Sequence, residues 1–392
     1  MIYFDSSATN PLLPEVRDEM LQVMNLSVEK ELGNPSSLHS SGSLGRDLLD
    51  SARASVANLI DARKSELIFT SGGSESNNTV LRTFENSPIL VSKIEHPSVL
   101  SPAEEFGNPC IKIPVDKAGV IGLNFLHEKL ESLLKENPKQ KVLVSVMLAN
   151  NGIGTLEPIR EIADLVKGFR KEGFRNLFLH SDATQAVGKI PVSVKDLGVD
   201  YLTFSSHKLG GPVGIGALFV RTGAPFRPLI FGGAQENKRR AGTSNAVLAS
   251  GFRVAAENAR KTPEKYKTVE KLRDYLATEI EKRIPTARRV TPLKNSLPNI
   301  LNVSFPAAEG ESTQLYLDLE KIAVSTGSAC ASGDLEPSHV LMALFGDAEV
   351  AHNSVRFSLN LSSTKAEVDE LLEKLPPIID RLQKISTIKL EK

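Results

Sequence analysis

Leu177-Phe178-Leu179-His180-Ser181-Asp182 and Tyr201-Leu202-Thr203-Phe204-Ser205-Ser206-His207-Lys208 each pass from apolar residues straight into polar ones. Each reads as a buried strand that delivers small, hydroxylated and charged residues at its carboxyl end. Working outward, the same unit recurs. Leu67-Ile68-Phe69-Thr70 stops at Ser71-Gly72-Gly73, and Ile89-Leu90-Val91, Val142-Leu143-Val144-Ser145-Val146 and Ala217-Leu218-Phe219-Val220 are further strand candidates. Amphipathic stretches lie between them. Ile159, Ile162, Ala163, Val166 and Phe169 line one helical face that ends at Gly173, and Leu44, Leu48, Ala52, Val56 and Leu59 follow Ser43 at helical spacing. This alternation, from about residue 43 to 221, predicts an α/β fold with a mainly parallel sheet covered on both faces. Ligands then belong at the carboxyl ends of the strands.

The pattern changes after about residue 245. A long charged helix (Glu264 to Arg283) precedes Ile300-Leu301-Asn302-Val303-Ser304-Phe305, a short helix and Ser354-Val355-Arg356-Phe357-Ser358. A closing helix opens with Thr364 and Glu367, a capping box. Pro376-Pro377 is expected to break or restart it. This mixture reads as a smaller α+β domain, with the boundary near residue 258.

At 392 residues the chain suits two or three domains, at roughly 130–150 residues each. Forty-seven basic residues balance 47 acidic ones, which argues against nucleic-acid binding through the field of the whole chain. Apolar runs are too short to span a bilayer, and Met1-Ile2-Tyr3-Phe4-Asp5 lacks the basic and apolar regions of a secretory leader. The two cysteines, Cys110 and Cys330, are too few for a disulfide framework or a cysteine-rich metal site. The expectation is a soluble cytoplasmic protein without a metal, a membrane contact or direct nucleic-acid binding.

Four clusters follow strand candidates. Ser71-Gly72-Gly73-Ser74-Glu75-Ser76 can hold an anion with free amides and the Ser74 hydroxyl, or be an ordinary capped turn. It matches neither common nucleotide fingerprint. Asp182, with Gln185 one turn on, is either an N-cap or a partner for a protonated ring nitrogen. Lys208, in Ser205-Ser206-His207-Lys208-Leu209-Gly210-Gly211-Pro212, sits among small residues where its amine could form a Schiff base, the anchor of pyridoxal phosphate. Cys330, within Gly327-Ser328-Ala329-Cys330-Ala331-Ser332-Gly333, lacks large apolar neighbours and reads as an accessible thiol. Cys110, beside Pro109 and Ile111, reads as packing. His96, after the strand that ends near Ile94, could supply a planar ring for stacking.

With these residues in view, the sequence closely resembles the cysteine desulfurase family, the class V aminotransferase branch of fold-type I pyridoxal-phosphate enzymes. The resemblance runs from Tyr3-Phe4-Asp5 to Arg356-Phe357-Ser358-Leu359. It includes Gly33-Asn34-Pro35-Ser36-Ser37-Leu38-His39, Glu95-His96-Pro97, Ala149-Asn150-Asn151 and Arg240-Ala241-Gly242-Thr243. Ser328-Ala329-Cys330 followed by Leu335-Glu336-Pro337-Ser338 resembles the subgroup with the longer cysteine-bearing loop, which feeds iron–sulfur cluster assembly and tRNA thiolation. The resemblance implies a large cofactor-binding domain (15–257) with a mainly parallel seven-stranded sheet. A small domain (1–14 and 258–392) would carry the cysteine loop.

The resemblance also implies roles. Lys208 would be the Schiff-base lysine, Asp182 the pyridinium partner, Gln185 a hydrogen bonder to the ring hydroxyl and His96 the stacking ring, which also helps Lys208 move the α-proton. Gly73, Ser74, Ser205 and His207 would contact the cofactor phosphate, and Thr243 would reach the phosphate of the neighbouring subunit of a homodimer. Asn150 would touch cofactor and substrate, Asn34 would contact the substrate, and Arg356 would grip its carboxylate. Cys330 would take the sulfur of L-cysteine as a persulfide, releasing alanine, and pass it to a sulfur-acceptor or iron–sulfur scaffold protein. Selenocysteine lyase or a related lyase, and a weakly catalytic partner in a sulfur-transfer complex, are the open alternatives. Three positions depart from the family pattern: Gly152 stands where glutamate is usual, Ser74 where threonine is common, and Asn360 where glycine is usual. Asn360 is expected to tolerate a left-handed backbone.

Overall fold

Runs of Leu, Ile, Val and Phe without polar interruption leave a strand no solvated face, so they must be covered on both sides. The computed structural model describes residues 1–326 and 337–386. Its strands are β1 (Ile2–Tyr3), β2 (Leu67–Thr70), β3 (Ser87–Ser92), β4 (Gly107–Ile113), β5 (Val142–Ser145), β6 (Leu177–Asp182), β7 (Tyr201–Ser205) and β8 (Gly216–Val220). These are followed by β9 (Arg288–Arg289), β10 (Ile300–Ser304), β11 (Ile322–Ala323), β12 (Ser325–Thr326) and β13 (Ser354–Ser358). β2 to β8 form one seven-stranded sheet in the order β2-β8-β7-β6-β5-β3-β4. The pairs from β4 through β3, β5 and β6 to β7 are parallel, and β8 alone runs antiparallel to its neighbours. The expected mainly parallel α/β architecture is present.

One sheet member is not evident from sequence. β4 contains Gly107, Asn108 and Pro109, residues that signal a turn, and it is the edge strand, where a proline's missing amide is tolerated. The helix expected after Ser43 also differs. It spans Ser40–Asn58, is capped by the His39 ring accepting from the Gly42 amide, and buries Gly45, Leu49, Ala52 and Val56. Leu44 and Leu48 lie on its half-buried flank. The helix Ile159–Lys171 buries Ile159, Ile162, Val166 and Phe169, as its spacing predicts.

A second core gathers Phe4, Leu301, Val303, Phe357, Leu371 and Leu375. It lies against a four-stranded antiparallel sheet ordered β12-β13-β10-β9. The opening segment belongs to this part, since β1 pairs with β11 and Asp5 bridges to Ser358. The closing helix, Lys365–Ile385, starts with the Thr364/Glu367 capping box and, against expectation, continues through Pro376 and Pro377. Pro376 has no amide for the carbonyl one turn back, that of Leu372. Arg283 Nη1 donates to that carbonyl at 3.0 Å, and Leu371, Leu372, Leu375, Ile379 and Leu382 hold the helix on the core.

Candidate active site

The carboxyl ends of β2, β3, β5, β6 and β7 open into a cavity of about 500 Å³, closed on the other side by β12, β13 and the opening segment. A parallel sheet creates this site because its strands all release the chain at the same edge.

β6 ends in Asp182. Its Oδ2 accepts from Asn77 Nδ2 at 2.8 Å and its Oδ1 from the Thr184 amide at 2.9 Å, so the carboxylate is held on the cavity floor. β7 runs into Ser205, His207 and Lys208, which all line the cavity. Lys208 Nζ donates to the backbone oxygens of Ser7 (2.5 Å) and Ala8 (2.6 Å). Burial, with the charge of Arg356 added, lowers its amine to about 8 against the pull of Asp5 and Asp182. His207 bonds Thr9 Oγ1 through Nδ1 at 3.1 Å, and burial together with Lys208 and Lys189 lowers its ring to about 4. β2 leads into the helix Gly73–Thr83, whose first amides have no intrahelical acceptor. Gly73 and Ser74 stand at the cavity wall.

His96 caps the helix Pro97–Phe106. Its Nδ1 accepts from the Ser98 amide at 3.1 Å and lies 2.8 Å from Ser98 Oγ, which in turn accepts from Asn77 Nδ2. Asn77 thus ties His96 to Asp182. Burial lowers the pKa of His96; Asp182 opposes that shift, and Lys208 and His339 reinforce it. Arg356, on β13, donates from Nη2 to Asp5 Oδ1 at 2.8 Å and from Nη1 to the Asn151 oxygen at 3.1 Å.

Three sequence-derived residues stand elsewhere. Asn150 braces its loop: its Nδ2 donates to the Ile94 oxygen, and its Oδ1 accepts from the Gly152 and Ile153 amides. The neighbouring Asn151 lines the cavity instead. Thr243 lies in a separate hollow of about 240 Å³ with Ser71, Arg240 and Gly242. Asn34 is outside the cavity lining, and its Oδ1 accepts from the Ser36 amide. Cys330 and the rest of its glycine-flanked loop lie outside the described residues. The sequence reading had missed Asp5, Asn77, Ser98, Thr184 and His339. Asp5 carries the clearest signal, a lone acid directly after an apolar strand.

Two features fit the cofactor that the sequence implies. Gln185 Oε1 and Thr184 Oγ1 are buried without a partner among the described residues, although both residues face the cavity. A Cβ at Gly73 would meet Thr184 Oγ1 at 3.3 Å, so glycine keeps that part of the cradle clear.

The family described as aminotransferase class-V matches residues 2–371. The chain belongs to that family. Within the class-V family it is 42% identical to the cysteine desulfurase IscS of Dictyoglomus turgidum, covering 100% of this chain and 97% of the relative. It is 41% identical to the cysteine desulfurase NifS of Azotobacter vinelandii, covering 98% and 94%. Among solved structures, a NifS-like protein superposes with a TM-score of 0.85 at 36% identity, covering 97% and 99%. A NifS-like protein from Rickettsia africae gives 0.86 at 31%, with the same coverage. Two departures of this class-V chain acquire a geometry. Gly152 donates to Asn150 Oδ1 and accepts from Asn302 Nδ2, and a Cβ there would sit 3.3 Å from Asn150 Oδ1. Asn360 is not among the residues with positive φ; its Oδ1 accepts from the Ser362 amide and hydroxyl, so it shapes a turn through its side chain.

Proposed function

We propose that this protein is a pyridoxal 5'-phosphate-dependent cysteine desulfurase, converting L-cysteine to L-alanine and passing the sulfur to an acceptor protein. The observation that carries the reading is the convergence in one cavity of a depressed lysine amine, a fixed carboxylate and a buried guanidinium. The curated relatives named cysteine desulfurase, matched along the whole chain, support it.

Pyridoxal phosphate, when bound, supplies an electron-withdrawing ring that takes up charge from the substrate carbon. Lys208 would hold it covalently, Asp182 would keep its ring nitrogen protonated, Gln185 would meet the ring hydroxyl, and His96 would lie against the ring. The first-turn amides of Gly73 and Ser74, with Ser205 and His207, would hold the phosphate. The lowered amine of Lys208 favours the uncharged, nucleophilic form, and the same amine, once released, can carry the substrate α-proton. Arg356 orients the substrate carboxylate, with Asn151 and Asp5 holding its guanidinium in place. Cys330 is assigned as the thiol that receives the sulfur. Thr243 and Asn34 are assigned to the site of a neighbouring subunit in a homodimer, in keeping with their distance from the cavity of their own chain. The core around Phe4, Leu301, Phe357 and Leu371 draws only on 1–14 and 258–392, which supports a division into 15–257 and 1–14 with 258–392; Val290, Val340 and Leu341 pack across that boundary on Ile94, Met147 and Ile153. Among the described residues, no helix is long and apolar enough to cross a membrane; a cytoplasmic location and an iron–sulfur or tRNA-thiolation acceptor belong to the same proposal.

Purified protein incubated with L-cysteine tests the reading. Alanine and sulfide should appear in the presence of a reductant, with cofactor absorbance that responds to cysteine. Protein that binds the cofactor yet forms no alanine from L-cysteine would refute the assignment.

A further inference from the structure

An α-amino acid at neutral pH carries an ammonium as well as a carboxylate. Arg356 serves the carboxylate, but the ammonium would enter a cavity already lined by two cationic side chains, Lys208 and Arg356. Among the described residues two acids line it, Asp182 and Asp5. Asp182 lies at the end of β6, with one oxygen on Asn77 and the other on the Thr184 amide. Asp5 stands beside Arg356.

A carboxylate can accept through both of its oxygens. Asp5 Oδ1 accepts from Arg356 Nη2 at 2.8 Å, while among the described residues no hydrogen bond engages Oδ2. The side chain is 22% exposed. Its backbone is fixed, since the Asp5 carbonyl accepts from the Ala8 and Thr9 amides at 3.0 and 3.4 Å. A few residues on, the oxygens of Ser7 and Ala8 hold the Lys208 amine. The opening segment thus runs from the arginine that grips the substrate to the lysine whose place the substrate nitrogen must take. Burial lowers the Lys208 amine, and Asp5 is one of the charges that pull it back up.

In an α-amino acid the nitrogen and the carboxyl carbon hang from one carbon and lie about 2.5 Å apart. A carboxylate seated on Arg356 therefore brings its ammonium within reach of the group bonded to the same guanidinium. Resting on the desulfurase reading, we propose that Asp5 receives the substrate α-ammonium. The Arg356–Asp5 pair then reads an amino acid at both charged ends before any bond is made. The four charges alternate: substrate carboxylate, guanidinium, Asp5, substrate ammonium. Without Asp5 the ammonium would meet like charges and the neutral Asn151 oxygen. Carboxylic acids that lack the amino group gain nothing from Asp5.

L-Alanine and propionate differ only in that ammonium, and neither carries sulfur. Calorimetry at neutral pH measures both on full-length holoenzyme reduced with borohydride, which fixes the cofactor to its lysine and stops turnover. Wild type should prefer L-alanine about tenfold or more, the scale of one charge-assisted hydrogen bond. Asp5→Asn keeps the shape and an oxygen for Arg356 but loses the charge. It should remove most of the preference while propionate binds at least as well. Asp5→Glu, which restores the charge, should recover part of it. No preference in wild type, a preference that survives Asp5→Asn, or an equal loss of both ligands overturns the inference. Wild-type protein that takes up no cofactor overturns the desulfurase reading and this inference with it. Protein that shows the preference yet forms no alanine from L-cysteine overturns that reading alone, and leaves Asp5 as the amino-group contact for another amino acid.

Discussion

Replacing Arg356 probes the substrate grip directly. The guanidinium has five N–H donors. One is used on Asp5 and one on the Asn151 oxygen, while Nε is buried without a partner among the described residues. A substrate carboxylate that meets Nε and the outer edge of Nη2 would remove this unsatisfied donor while gaining charge-assisted bonds. One such bond is worth about 1.5–3 kcal/mol, and about 1.4 kcal/mol is tenfold. Arg356→Ala should therefore raise KM for L-cysteine about ten- to a hundredfold. Arg356→Lys keeps the charge but replaces a fork with a point donor, which cannot serve Asp5, Asn151 and the substrate together; its KM should rise about tenfold. Alanine formation against cysteine concentration gives KM, and absorbance titration of the same preparations gives cofactor affinity. Unchanged KM in both variants, with weakened cofactor binding, would mean that Arg356 only braces Asp5 and the Asn151 loop.

Lys208→Ala should abolish turnover and covalent cofactor attachment; borohydride reduction and peptide mapping of the wild type should place the label on Lys208, and label on another lysine would overturn the assignment. In cofactor-free protein, the rate of aldehyde capture should rise with pH around a midpoint near 8, following the burial-lowered amine, whereas a midpoint near the ordinary value of about 10.4 would contradict it. Cys330→Ala should still bind cofactor and respond to cysteine but release almost no alanine, whereas Cys110→Ala on the edge strand should resemble wild type; normal turnover by Cys330→Ala would favour a lyase that needs no persulfide. Arg283→Ala should cost about 1 kcal/mol of stability, from the lost bond to Leu372, and less in a Pro376→Ala background, where residue 376 regains its amide; additive losses by denaturant titration would sink this account.

Much of the large sheet was legible because strands buried on both faces leave an uninterrupted apolar record. β4 was not, since an edge strand can admit Gly, Asn and Pro, which from sequence alone mark a turn. The closing helix defied its two prolines because the partner of the stranded carbonyl, Arg283, comes from another helix. At the site, Lys208, Asp182 and Gln185 were visible as polar residues ending apolar runs. Asn150 and Asn151 illustrate the limit: adjacent identical residues carry no mark of which faces the cavity, and only the loop's hydrogen bonds separate them. The oxygens of Ser7 and Ala8 that hold Lys208 belong to the backbone, so no residue type announces them.

The opening segment has a consequence for how the molecule is made. Ser7, whose oxygen meets Lys208, also donates its amide to Ser358 Oγ, across a separation of 351 residues. The strand just before it lies against Ile322–Ala323. On the ribosome this segment waits for partners that emerge much later in the chain. Most of the large sheet can collapse during synthesis, since β3 to β8 pair with strands close in sequence, while β2 waits for β8. The groove for the amino acid cannot close until β13, with Arg356 and Ser358, returns to meet Asp5 and Ser7. A nascent or prematurely ended chain would thus hold Lys208 and Asp182 on a formed scaffold without the arginine that admits substrate, and unfinished protein stays chemically silent.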